Sequence, residues 1–120
     1  MQREYRLKRR NDFRRVFQAG KSFANRQFVV IAYERASSGP PRSGISVSKK
    51  IGNAVVRNRC KRLIKEITRH WISSLRPGTD YVIIARTPVV QMDYKQIKSS
   101  LYHVFHKGKF FVSRPSHSSQ

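Results

Sequence analysis

The helical segment from about Ala54 to Ser74 constrains this chain most. Its apolar residues Val56, Cys60, Leu63, Ile64, Ile67 and Trp71 advance by about 100° each and fall within an arc of roughly 100°. That stripe is wide enough to pack on a sheet and no wider. Most of the remaining surface is cationic. Arg57, Lys61, Lys65 and Arg69 recur at i+4, Arg62 stands beside them, and Arg59 lies further round the wheel. Glu66 is the only acid from Ala54 to Arg69. A helix shaped only for solubility would interleave acids at i,i+4, so the like-charge repulsion here calls for an external polyanion. The plain alternative is a solvated basic face, but the same-sign bias extends over the whole chain.

The 120 residues carry 26 Lys and Arg against six acids, a formal charge of +20. Such a field opposes compaction unless an anionic partner answers it. Nucleic acid is the commonest such partner, and binding it releases counterions. A membrane surface would instead require an amphipathic helix with a large exposed apolar face. The longest apolar run, Phe28 to Tyr33, has six residues, far short of the roughly 20 that span a bilayer. No membrane partner is therefore expected. No apolar segment follows the charges of Met1 to Glu4, so no secretory signal is expected either. A single cysteine, Cys60, leaves no intrachain disulfide and no multi-cysteine zinc site. The setting that fits is the reducing cytoplasm.

With 38% apolar residues, the chain suffices for one domain, expected over residues 1–112. A basic arm (1–10) leads into a short helix, with Asn11 or Asp12 as its cap, Phe13, Val16 and Phe17 on one face, and Gly20 at its end. A strand is predicted from about Arg26 to Arg35, then a loop over Ser37 to Ser43. A half-buried strand, Gly44 to Lys49, is expected to pair back on the first. Gly52 and Asn53 precede the long helix. Pro77 and Gly78 turn into a strand over Asp80 to Arg86, and a last helix runs from Asp93 to His106 with Ile97, Leu101, Val104 and Phe105 on one face. The tail 113–120 reads as disordered. The order helix, two or more strands, helix, strand, helix defines an α+β fold.

Lys49 and Lys50, with the flexible Gly52 and Asn53 before a helix N-terminus, form a good phosphate site. Asn58 on the basic face can donate and accept at once, as RNA hydroxyls and base edges require. Along the first strand Val29, Ile31 and Tyr33 share one face, opposite Phe28, Val30 and Ala32. An open sheet face could stack single-stranded bases, although patterning alone favours Phe13 and Phe17 as ordinary core. Catalytic groups are not apparent. Glu4, Asp12, Glu34, Glu66, Asp80 and Asp93 are scattered singly, whereas metal-dependent nucleases need converging carboxylates. His70, His103 and His106 could in principle serve acid–base cleavage but read better as surface residues near helix ends. Cys60, within the apolar stripe, is expected to be buried and inert.

The segment Lys49-Lys50-Ile51-Gly52-Asn53-Ala54-Val55-Val56-Arg57-Asn58-Arg59-Cys60-Lys61-Arg62-Leu63-Ile64-Lys65-Glu66 closely resembles the RNR signature of the bacterial ribonuclease P protein component. Further matches are Arg6-Leu7-Lys8, Asp12-Phe13 with Val16-Phe17, Arg26-Gln27-Phe28, Ser46-Val47-Ser48 and Tyr81 to Arg86. The resemblance implies a single two-layer, ribosomal-protein-like α/β sandwich with a left-handed βαβ crossover. It implies a subunit of an RNA-based endoribonuclease that removes the 5′ leader of precursor tRNA by phosphodiester hydrolysis. The catalytic groups would lie in the RNA and none in this chain. Magnesium would serve the holoenzyme, held mainly by RNA and substrate phosphates rather than by this protein.

By the same resemblance, Arg57, Asn58, Arg59, Lys61, Arg62 and Lys65 would meet the catalytic RNA, with Lys49 and Lys50 nearby; Asn53 and Arg69 flank them on the same helix. Phe13 and Phe17 would meet the leader, together with Val29, Ile31 and Tyr33. Where family members often carry an aromatic in the first strand, this chain has Ile31, and Tyr33 two residues on faces the same side. The expected partners are the catalytic RNA and precursor tRNA, with no obligatory protein partner. The alternative class is a structural ribosomal RNA-binding protein, which co-purifying ribosomal RNA would reveal.

Overall fold

A computed structural model describes residues 6–113 apart from Lys8 and Ser37. Most of the predicted N-terminal arm, and the predicted tail beyond Ser113, lie outside the described residues. The elements are α1 (Arg10–Ala19), β1 (Lys21–Ala24), β2 (Phe28–Glu34), β3 (Arg42–Val47), α2 (Ala54–Trp71), β4 (Thr79–Ala85) and α3 (Tyr94–Lys107), with 3₁₀ turns at Ile72–Ser74 and Thr87–Gln91. The strands form one mixed sheet in the order β1-β2-β4-β3.

Two expectations need correction. The residue before α1 is Arg9, with no side-chain cap, and Asp12 lies inside the first turn, where a carboxylate favours the helix dipole. Also, β3 does not pair back on β2. It runs parallel to β4, Ile45 opposite Ile83, while β2 is antiparallel to β4 on the other side. The physical reason lies in β4, whose residues are all buried except the half-buried Ile84. A continuous apolar run suits the centre of a sheet, so β4 takes the middle and β3 the edge. A parallel neighbour needs a crossover, and α2 supplies it. The short β1, beyond the strands expected from the sequence, pairs with β2 through a turn in which Asn25 Oδ1 accepts from the Gln27 and Phe28 amides at 2.9 and 2.8 Å.

The alternation foreseen along β2 divides the core. Phe28 and Val30 join Tyr81 and Ile83 beneath α2 and α3, meeting Cys60, Ile64, Ile67 and Trp71. On the opposite face, Ile31 and Val82 pack with Val16 of α1 and Leu7, flanked by Phe13, Val29 and Tyr33. Helices therefore cover both faces, α1 only partly. Cys60 is fully buried. At one end of the sheet, Asp80 accepts from Arg35 at 2.6 Å and from Arg42 at 2.9 and 2.8 Å. This ties β2, β3 and β4 together through a carboxylate that is 1% exposed. No helix among the described residues is long and apolar enough to cross a membrane.

Candidate nucleic-acid interface

Asn53 starts α2 by accepting the Val56 amide on its side-chain oxygen at 3.1 Å, so part of its polar capacity is already used. Just before it, Lys49 and Lys50 sit exposed in a turn closed by Ile51 N–H to Ser48 O at 3.0 Å. The helix faces its apolar stripe to the sheet and its cations outward. Asn58, Lys61, Arg62, Lys65, Glu66 and Arg69 line a shallow groove of about 400 Å³. Arg57 and Arg59 stand apart from that lining: Arg57 Nε donates to Gly52 O at 3.2 Å and Arg59 Nη2 to Met92 O at 3.2 Å. Both guanidinium groups are positioned by backbone carbonyls of the chain itself.

Glu66 is more engaged than its sequence position suggested. Its Oε2 accepts from Arg69 at 2.6 Å and lies 2.9 Å from His70 Nε2. These hydrogen bonds, Arg69 first and then His70, hold the carboxyl below its ordinary value. His103 is exposed, while His106 stacks on Tyr102 with ring centroids 5.9 Å apart.

On the α1 face, Phe13 is half-buried against the smaller core, whereas Phe17 is 50% exposed. Val29 and Tyr33 are half-buried, and Ile31 is 9% exposed. The strand residues and Phe13 thus form a partly covered apolar floor, with Phe17 free at its margin.

The edge position of β3 brings the two surfaces together. A small cavity of about 160 Å³ at this edge has Phe13, Leu7 and Gly44 on one side and Lys61 and Lys65 on the other. Sequence periodicity could not reveal this junction, because it depends on which strand lies outermost. Three carboxylates are occupied: Asp80 by two arginines, Asp12 within 3.9 Å of Arg15 and 3.8 Å of Arg42, and Glu66 by Arg69.

Comparison with known proteins agrees with this layout. The family model described as Ribonuclease P matches residues 1–109. The ribonuclease P protein component of Listeria monocytogenes serotype 4b is 48% identical over 118 residues, covering 98% of this chain and 99% of that protein. That of Geobacillus kaustophilus is 47% identical over 121 residues, covering 99% and 100%. Among solved structures, the Staphylococcus aureus RNase P protein superposes with a TM-score of 0.84 at 45% identity, covering 89% of this chain and 97% of that one. The Thermotoga maritima protein gives 0.76 at 32%, covering 85% and 96%. With its RNR helix, its mixed α+β sheet and nearly full-length likeness to these proteins, the chain belongs to the ribonuclease P protein family, and so is a component of an RNA-cleaving, tRNA-processing ribonucleoprotein partnered with the RNase P RNA.

Proposed function

We propose that the α2 surface docks the catalytic RNA while the α1 face takes the 5′ leader of precursor tRNA. The docking set is Lys49, Lys50, Asn53, Arg57, Asn58, Arg59, Lys61, Arg62, Lys65 and Arg69. The leader set is Phe13, Phe17, Val29, Ile31 and Tyr33. One observation carries the reading: the cavity at the β3 edge has an aromatic wall from α1 and a lysine wall from α2. A strand leaving the catalytic RNA's active site can pass from cations to apolar floor without crossing the sheet.

In this reading the protein performs no bond chemistry. Its cations lower the repulsion between two polyanions, which reduces the magnesium concentration that assembly requires. The engaged carboxylates Asp12, Asp80 and Glu66 suit a chain that leaves magnesium to RNA and substrate phosphates. The protein needs no second protein subunit and works in the cytoplasm. The test compares the affinity of the ribonucleoprotein and of the RNA alone for precursor and mature tRNA. A gain larger for the precursor is expected; an equal gain for both overturns the leader assignment.

A further inference from the structure

The end of α3 is strained at one residue. Phe110 N–H bonds to Phe105 O and Lys109 N–H to His106 O, both at 3.0 Å, the pairing of a Schellman turn. The left-handed position of that turn usually falls to glycine. Here it falls to Lys109, at φ 58°, the one non-glycine residue with positive φ among those described. Glycine stands one place earlier. Gly108 has φ −83°, and a Cβ there would lie 2.5 Å from Phe110 Cζ. Close approach of the Phe110 ring therefore fixes glycine at 108 and leaves a lysine in the unfavourable conformation. Strain kept in this way is a reason to ask what the side chain does.

Lys109 borders a cavity of about 600 Å³ together with Lys21, Arg76, Glu34, Phe23 and Phe110. Arg76 Nη2 donates to Lys109 O at 3.3 Å, so the turn and the guanidinium are placed together. Tyr81 lines the same cavity and is fully buried. Its hydroxyl is shut off from solvent, with the Thr79 side chain and the Arg76 backbone as its hydrogen-bonding neighbours. Burial pushes this phenol up to about 12, and the neighbouring Thr79 hydroxyl and Arg76 backbone offset only part of that. The group keeps its proton at neutral pH and forms part of the closed cavity wall.

The cavity opens on the α3 side of the sheet, away from Phe13 and from the α2 groove, and only Tyr33 borders both it and the leader floor. Its volume suits a small ligand. Three cations call for phosphate, two phenylalanines for a flat apolar group, and Glu34 for a hydroxyl donor rather than a compact anion.

We propose that this cavity binds one nucleotide monophosphate unit, its phosphate toward Lys21, Arg76 and Lys109 and its base toward Phe23 and Phe110. The unit is either a free nucleotide or a residue of an RNA strand. The test is titration of the full chain with AMP, with inorganic phosphate and with a short single-stranded oligoadenylate, followed by amide NMR shifts. AMP is expected to shift Tyr81, Lys109 and Phe110. Lys109→Gly relaxes the turn and keeps the fold, and it should weaken AMP binding about tenfold, as should Lys21→Gln, each removing one charge-assisted hydrogen bond to the phosphate. Tighter binding of the oligonucleotide with the same dependence on both residues identifies RNA as the source. Tighter binding of AMP identifies the free nucleotide. AMP shifts confined to α2, AMP affinity unchanged in both variants, or phosphate binding as tightly as AMP would each overturn the proposal.

Discussion

The Phe13 ring fills the space that a side chain on Gly44 would need: a Cβ there would stand 2.4 Å from Phe13 Cζ. A helix residue and an edge-strand residue thus set the spacing between α1 and the sheet. Gly44→Ala forces the ring aside and should destabilise the fold by about 1–3 kcal/mol, the usual cost of overpacking. Chemical denaturation measures it. Combining the change with Phe13→Leu should cost less than the sum of the two, since the residues are in contact.

Among the described residues, Asp80 is the one carboxylate shared by Arg35 and Arg42, and the pair with Arg35 is almost fully buried, at 7% and 1% exposure. Asp80→Ala leaves a buried guanidinium unanswered. The expected loss is about 3–5 kcal/mol in urea unfolding. A change within 1 kcal/mol (~) would contradict a structural role for the cluster.

Arg62 is exposed on the α2 groove and forms none of the hydrogen bonds that hold Arg57 and Arg59. Arg62→Ala should weaken assembly with the RNase P RNA by about 1–3 kcal/mol with little change in melting temperature. It should also reduce the log–log salt slope by about 0.7–0.9, the share of one phosphate contact. Filter binding across a salt series checks both.

Phe17, half exposed, should behave differently from its neighbour Phe13. Phe17→Ala is expected to lower precursor tRNA affinity by about 1–3 kcal/mol, on the scale of base stacking, while barely moving the melting temperature. A large fall in stability instead would mark it as core.

Glu66 titrates below its ordinary value of 4.5 because Arg69 and His70 hydrogen-bond to it. A depressed acid stabilises the fold above the unfolded pKa and loses that effect as pH falls through the folded one. The Glu66–Arg69 pair is therefore intact at neutral pH, and its contribution fades only in acid below 4.5. Glu66→Gln frees Arg69 for phosphate and should tighten RNA assembly at low salt; an NMR titration of the parent gives the carboxyl midpoint directly.

Local periodicity made α2 and the two faces of β2 legible, because Ile64 and Trp71, or Val29 and Val30, declare their sides through spacing alone. The Asn53 region was also readable as a helix start. Partner choice was not. Nothing near Ile45 states that Ile83 is its neighbour, and the Asp80 cluster joins residues 38 and 45 positions apart. Four-residue β1 is too short to alternate clearly. The junction between Phe13 and Lys61 needed the strand order, and the Lys109 turn was hidden because the glycine expected at its left-handed position lies one residue early.

The β3 edge bears on how copies of this protein meet. An open edge invites another chain to add on. Here Leu7 N–H already bonds to Ser43 O at 3.0 Å, and Lys61 and Lys65 border the same margin. A second molecule approaching edge to edge would press its own ammonium groups into the same space. Like charge at that rim opposes pairing of one copy's edge with another's.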